Sequence, residues 1–293
     1  MSIRITPLAD PERGPSGRRL VWLASDDAQN PVGSAFLRLF ARPEVRHLTE
    51  LEINVHPAER RAGVGRLLLE AAVGAARENL RRRVSADVPE GAPGEGFLAA
   101  HGFRPVLTLT FARLPLERVD PAALAAAVDK PHPGYRLVSW DGAVPGELLE
   151  TFTASRRAMA DMPMGEADFG VDVWDADRVL SAARAIEERG ELLHTVAAVR
   201  ESDGSVVGFT ELVVPGDGKG DAQHYGTGVL PEHRGRGLAR WMKTEAIRGA
   251  RERHPGLAGL LTDTADGNAP MRAVNDALGY APTHRTVKYQ LDL

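Results

Sequence analysis

"VLPEHRGRGLARWMK", residues Val229 to Lys243, sets a proline, two closely spaced glycines and five basic side chains at one junction. The run before it, "AQHYGTGVL", alternates as a strand does, and the run after it has helical spacing from Ala239 to Arg253. Gly235 and Gly237 let the main chain turn sharply and let a ligand approach the backbone. The first turn of a helix leaves N–H groups without intrahelical acceptors, and the helix dipole adds positive charge there. Such a junction favours a phosphate or pyrophosphate, and arginines at its rim add charge-assisted hydrogen bonds. No glycine is followed by Lys-Ser or Lys-Thr, and neither Gly-x-Gly run continues as Gly-x-Gly-x-x-Gly. Walker loops and dinucleotide fingerprints are therefore excluded.

The stretch has an ungapped counterpart upstream, "VHPAERRAGVGRLLL", starting at Val55. Val55, Pro57, Arg60, Gly63 and Arg66 match Val229, Pro231, Arg234, Gly237 and Arg240, each 174 residues apart. A second pair, "AAHGFRP" ending at Pro105 and "DALGYAP" ending at Pro282, follows at an offset of 177. Order and spacing kept over half a chain indicate an internal duplication.

Both halves read alike. In the first, strands are expected over "RRLVWLAS", "PVGSAFLRLFA", "HLTELEINV", "RRVSADV" and "RPVLTLTFARL". Helices are expected from Gly65 to Leu80 and over "GEGFLAAHG". The second half adds helices at Glu147–Met159 and Trp174–Arg189, then repeats the order down to "HRTVKYQLDL". The predicted class is α+β: two tandem domains, each a mostly antiparallel mixed sheet flanked by helices. The expected boundaries are 1–115 and 134–293, with the proline-rich 116–133 as a linker holding one helical turn.

The 293-residue chain is 43% hydrophobic and carries a net charge of −4, which gives no reason to expect nucleic acid as a partner. Cysteine is absent, which removes disulfides, thiolate metal sites and a cysteine nucleophile. Scattered histidines and the lack of His-Glu-x-x-His argue against a catalytic metal. The N-terminus has no signal-peptide pattern and no run approaches a membrane span, so a cytoplasmic monomer or homodimer without membrane attachment is expected.

Arg-x-x-Gly-x-Gly at Arg60–Gly65 and Arg-x-x-Gly-x-Ala at Arg234–Ala239 resemble the acyl-CoA-binding signature of GCN5-related N-acetyltransferases. The preceding Val-x-Pro and the later Gly-Phe/Tyr fit the same family. The resemblance implies acetyl-CoA as donor and a small-molecule amine that attacks the thioester directly. It implies that Val229, Arg234, Gly235, Arg236, Gly237, Leu238, Ala239 and Arg240 hold the cofactor, together with Asn268 and Asn275. It extends the same role to Val55, Arg60, Gly63, Val64, Gly65 and Arg66 of the first half. A backbone N–H near Val229 would polarise the thioester carbonyl.

For catalysis the sequence offers Glu211 and His224 on adjacent strands as bases, with the face lining the cleft left open. The family's thiolate-protonating tyrosine falls on Asn275, which is not an acid, leaving water, Tyr225 or Tyr280 in its place. Arg156–Asp175 corresponds to the acceptor wall. Met159, Met162, Met164, Phe169 and Trp174 supply apolar surface there, and Asp161, Glu166 and Asp168 supply charge for an amine. In the first half the tyrosine position is Leu98, and the early helices are missing. Glu50 and Glu52 are its remaining candidate bases. That half reads as degenerate and the second as catalytic. A non-catalytic acyl-CoA-binding module stands as the alternative.

Overall fold

The structure is a computed structural model that describes residues 2–8, 13–14, 17–168, 170 and 173–293. It divides into two compact units. One comprises Met1–Thr108, Gly165–Asp172 and Arg285–Leu293; the other comprises Leu109–Met164 and Val173–His284.

The first unit holds β1 (Arg4–Leu8), β2 (Arg13–Gly14), β3 (Gly17–Ser25), β4 (Pro31–Phe40), β5 (Leu48–Val55), α1 (Val64–Glu78), β6 (Arg83–Pro89), α2 (Pro93–Ala100) and the start of β7 (Arg104–Pro115). β1 and β2 pair with β3, then β3 with β4 and β4 with β5, all antiparallel. β5 and β6 are parallel, but only from Leu48–Glu50 against Arg83–Ser85. Helix α1 buries Leu68, Leu69, Ala72, Val73 and Ala76, the one-sided spacing of an amphipathic helix, in one apolar cluster with Leu37, Leu39 and Val84. Between β3 and β4 there is only a tight turn, so no helix stands where the second unit has two, as the sequence indicated.

The second unit holds the rest of β7, α3 (Pro121–Val128), β8 (Tyr135–Asp141), α4 (Gly146–Ser155), α5 (Ala176–Glu188), β9 (Leu192–Arg200), β10 (Val206–Val214), β11 (Gly220–Val229), α6 (Leu238–Arg253), β12 (Leu257–Ala265), α7 (Ala269–Ala277) and the start of β13 (Ala281–Asp292). β8, β9, β10 and β11 pair antiparallel in chain order. β11 and β12 run parallel from Gly220–Gln223 against Leu257–Leu261. Each unit is thus a largely antiparallel sheet with one short parallel pair and helices on its faces, the fold class expected.

The unit boundaries differ from the expected ones. β7 pairs through Leu109–Pro115 with β12 of the second unit, while β13 pairs through Thr286–Asp292 with β6 of the first. The last strand of each half is therefore completed in the other half's sheet. The reason is side-chain burial: Val287 and Tyr289 belong to the first unit's apolar cluster, and Ala112 and Leu114 to the second's. The expected linker is also more than a linker. Asp120 caps α3 by accepting from the Ala122 N–H at 2.9 Å, and Pro121 sits at its first position. Leu124 is buried with Ile247 and Ala250, a gain of roughly 1.5–3 kcal/mol for a leucine.

Candidate functional site

The same junction is built twice. Val55 and Val229 each lead into a 3-10 turn, Pro57–Glu59 and Pro231–His233, and then into αL glycines, Gly63 (φ 85°) and Gly237 (φ 78°), that start α1 and α6. Arg60 and Arg234 do one job in both copies: their Nε donates to the carbonyl of Val55 at 3.3 Å and of Val229 at 2.9 Å. Arg234 also gives both terminal nitrogens to Asp161 at 2.7 Å and holds that carboxyl below its usual range. These two residues, expected to bind cofactor and amine, pair with each other at the surface, and Arg234 also braces the turn.

The second junction is open. A Cβ added at Gly235 (φ 74°) would meet nothing within 4 Å. The first helical bond of α6 is Trp241 N–H to Gly237 carbonyl at 3.0 Å, so Leu238, Ala239 and Arg240 have no intrahelical acceptor. Beside it lies a cleft of about 550 Å³ lined by Lys130, His132, Tyr135, Arg236, Gly237 and Arg240. His132 stacks on Trp241 with centroids 4.0 Å apart, and Trp241 Nε1 donates to the Val128 carbonyl at 2.8 Å. The supposed linker therefore forms a wall of this cleft. Lys130 and His132 were missed in the sequence because nothing local ties them to α6.

β11 leaves β12 after Gln223, so His224–Val229 pair only with β10 and a wedge opens along their other edge. Tyr225 is the extra residue of a bulge between the pairs Glu211–Gly226 and Leu212–His224. Glu211 and His224 consequently sit on opposite faces of the sheet. Glu211, 7% exposed, accepts from both terminal nitrogens of the buried Arg156, whose guanidinium packs 4.5–4.7 Å from the rings of Phe152, Trp174 and Phe209. A carboxylate paired this way gives each of its oxygens to a guanidinium N–H, and the pair carries no net charge. Tyr225 is 52% exposed and its hydroxyl accepts from Arg189 at 2.9 Å, so it turns to the surface.

His224 lies under α6, with Nε2 2.8 Å from the Tyr280 hydroxyl. Thr210 Oγ1 is 3.5 Å from its Nδ1 and 2.7 Å from the Thr227 hydroxyl. Burial holds His224 neutral and raises the Tyr280 phenol. Asn275, 4% exposed, is bonded at both ends of its amide: Oδ1 accepts from Lys243 Nζ at 2.8 Å and Nδ2 donates to Thr264 Oγ1 at 3.0 Å. Asn268 caps α7, its side chain accepting from Met271 N–H at 3.3 Å. On the other face Met159 lies against Gly226 and Gly228, while Met162 and Met164 are half-buried. The acceptor-wall segment is divided: Asp168 bonds His47 at 3.0 Å and Glu166 bonds Arg104 at 3.0 Å, all within the first unit. Phe169 lies outside the described residues.

The first junction is built from different residues. Arg61 (φ 65°) takes the left-handed conformation where Gly235 stands in the second, and the Phe97 ring lies 3.3 Å from a Cβ placed on Gly65. Arg66 pairs with Glu70 at 3.6 Å, Val64 is buried, and Glu50 and Glu52 are exposed.

Burial lowers His194, His224, His233 and His254 from the ordinary 6.5. Below that pH the unfolded chain binds protons that the fold refuses, so stability falls as pH falls. Urea midpoints are expected to drop steadily from pH 6.5 to 5; a flat profile there would contradict the buried neutral histidines.

Comparison with known proteins agrees with this geometry. A model described as "Acetyltransferase (GNAT) domain" matches residues 17–105, and one described as "Acetyltransferase (GNAT) family" matches residues 163–280. A mycothiol acetyltransferase of Thermomonospora curvata is 28% identical over 239 residues, covering 82% of this chain and 72% of that one. A tandem GNAT protein from the clavulanic acid biosynthesis pathway, solved without AcCoA, has the same fold with a TM-score of 0.74 at 24% identity, over 99% of this chain and 98% of the other. A GCN5-related N-acetyltransferase from Sphaerobacter thermophilus superposes with a TM-score of 0.65 at 19% identity, over 93% and 80% of the two chains. Two matching junctions, two strand pairs that part after a short parallel stretch and two matched models lead to one conclusion: the chain belongs to the GNAT family of N-acetyltransferases, with one such domain in each half.

Proposed function

We propose that the chain moves an acetyl group from acetyl-CoA to the amine of a small molecule, and that the second unit does the chemistry. The observation that carries this is the open junction at Gly235–Arg240, at the head of a wedge between β11 and β12 and beside a basic cleft. The main-chain N–H groups from Gly235 to Arg240 fit a diphosphate, with Arg236 and Arg240 at its rim. Lys130 and His132 suit the nucleotide end. Acetyl-CoA, when bound, supplies an electrophilic thioester carbonyl. The unpaired edge of β11 from Gly226 to Val229 offers main-chain donors for that carbonyl. The acceptor side is the opposite face, where Met159, Trp174 and the neutral Arg156–Glu211 pair give an apolar wall that excludes water.

The first unit serves as a structural partner. Arg61 stands in for a cradle glycine, Phe97 lies against the helix start, and no helices cover the face bearing Glu50 and Glu52. The name of the Thermomonospora relative, a mycothiol acetyltransferase, supports a small-molecule acceptor. Titration calorimetry with coenzyme A is expected to give one site per chain, and an amine panel with acetyl-CoA is expected to release free thiol. Two sites would mean that the first unit holds cofactor as well, and binding without thiol release from any amine would leave a non-catalytic acyl-CoA module.

A further inference from the structure

Lys243 is 1% exposed, on the face of α6 turned to the sheet. Its only polar partner among the described residues is the Asn275 amide oxygen at 2.8 Å, and its Nζ stands 4.8 Å from the centroid of the Tyr280 ring. A lysine so placed, with no carboxylate paired to it, carries a desolvation cost that a sequence shaped by stability alone would avoid.

The chain contains its own control. At the offsets that relate the two halves, Lys243 corresponds to Leu69 and Asn275 to Leu98. Both leucines are buried in the first unit's apolar cluster. The fold therefore has no need of a polar pair at this place.

The location suggests the need that is met. β11 departs from β12 after the pair Gln223–Leu261. Asn275 is tied to Thr264, three residues past that point on β12, and His224, the next residue on β11, faces Tyr280. Lys243 Nζ is thus tied through Asn275 to the stretch of β12 just past the point where β11 departs, under the helix whose first turn forms the cradle.

We infer that Lys243, aligned by Asn275, is the proton donor to the leaving thiolate. The inference rests on reading this wedge as the acetyl-CoA site. As the amine nitrogen forms its bond to the acetyl carbon, the carbon–sulfur bond breaks and its electron pair goes to sulfur. The Lys243 ammonium gives one proton to that sulfur, yielding a thiol and a neutral lysine. The proton shed by the nitrogen passes to solvent, and the neutral lysine regains a proton from solvent once the thiol has left the wedge. One amine and one thioester become one amide and one thiol.

The surroundings suit the task. Burial pushes the Lys243 ammonium down to about 7, against the weaker upward pull of Asp263 on β12. That lies close to an ordinary thiol, about 8.5, so the proton transfer is nearly matched. His224 on β11 is held neutral, β10 presents Thr210, α7 presents the uncharged Asn275, and Tyr280 offers a ring whose phenol burial makes a weaker acid than an ordinary tyrosine.

The test uses the intact chain and a variant that copies its own first unit, K243L/N275L. With 13C-labelled lysine, one of four ε-methylene resonances is expected to titrate near pH 7, to shift when coenzyme A binds, and to be missing from the variant. The bound coenzyme's thiolate absorbance is expected to appear at lower pH in the parent protein than in the variant. The variant is expected to bind acetyl-CoA within about twofold of the parent, to lose roughly 100-fold in kcat, and to lose the fall in kcat above pH 7. A lysine titrating only near 10.5, or a thiolate titration and a pH profile shared by both proteins, overturns the role. If the variant does not fold, the lysine resonance and its response to coenzyme A in the parent protein decide alone. Failure of the parent protein to bind coenzyme A removes the acetyl-CoA reading itself, and is distinguished from these outcomes by calorimetry.

Discussion

Replacing Gly237 with glutamate is expected to weaken coenzyme A binding by at least about 100-fold while the chain stays folded. The position has φ 78°, which costs an ordinary residue roughly 1–2 kcal/mol. A carboxylate at a helix start recovers about 0.3–1 kcal/mol from the dipole, and the nearest atom to the added Cβ is His132 Nε2 at an ordinary 3.5 Å. The fold therefore loses little. The ligand loses much, because the new carboxylate takes the N–H groups meant for a diphosphate and repels it. Charge-assisted hydrogen bonds contribute about 1.5–3 kcal/mol each, so losing two is enough for the stated factor. The equivalent change in the first unit, Gly63→Glu, enters space with no atom within 4 Å of the added Cβ, at φ 85°. It is expected to leave affinity and stoichiometry as they were. Calorimetry on the two variants side by side checks both statements, and equal losses would show that both cradles hold ligand.

Arg156→Met is expected to cost about 3–5 kcal/mol of folding stability, the largest loss from any single change considered for this chain. Arg156 is buried against three aromatic rings and both its terminal nitrogens serve Glu211. Methionine keeps much of the volume but leaves a buried carboxylate without its partner. Removing both members of such a pair is far milder, so Arg156→Met with Glu211→Leu is expected to recover most of the loss. Urea denaturation of the two variants reads this directly. Equal destabilisation would mean that the ring contacts of Arg156, and not its charge, hold this face together.

Local patterns were legible in the sequence because local forces set them. Val-x-Pro, the paired glycines and the arginine five residues after each valine specify a turn whose hydrogen bonds close within a few residues. The strand and helix periods report which face is buried, so the duplicated fold and the glycine turns that start α1 and α6 followed from the sequence alone. Even the missing helices of the first half could be read, because a five-residue gap between strands has no room for them.

Long-range pairing was not legible. That β7 and β13 complete each other's sheets depends on which apolar cluster receives Leu114 and Val287, and alternation along a strand says only that one face is buried. The bulge at Tyr225 decided that Glu211 and His224 face opposite ways, since one extra residue reverses strand parity. Asp161 and Lys243 looked like available charges, and only packing showed each, like Arg156, to have a partner far away in the chain. One signal for Lys243 did lie in the sequence: it occupies the apolar face of α6, where the other copy has Leu69. Turns and helix starts are settled by neighbours in sequence; the state of a charge is settled by what the fold packs around it, because water is removed only by tertiary contact.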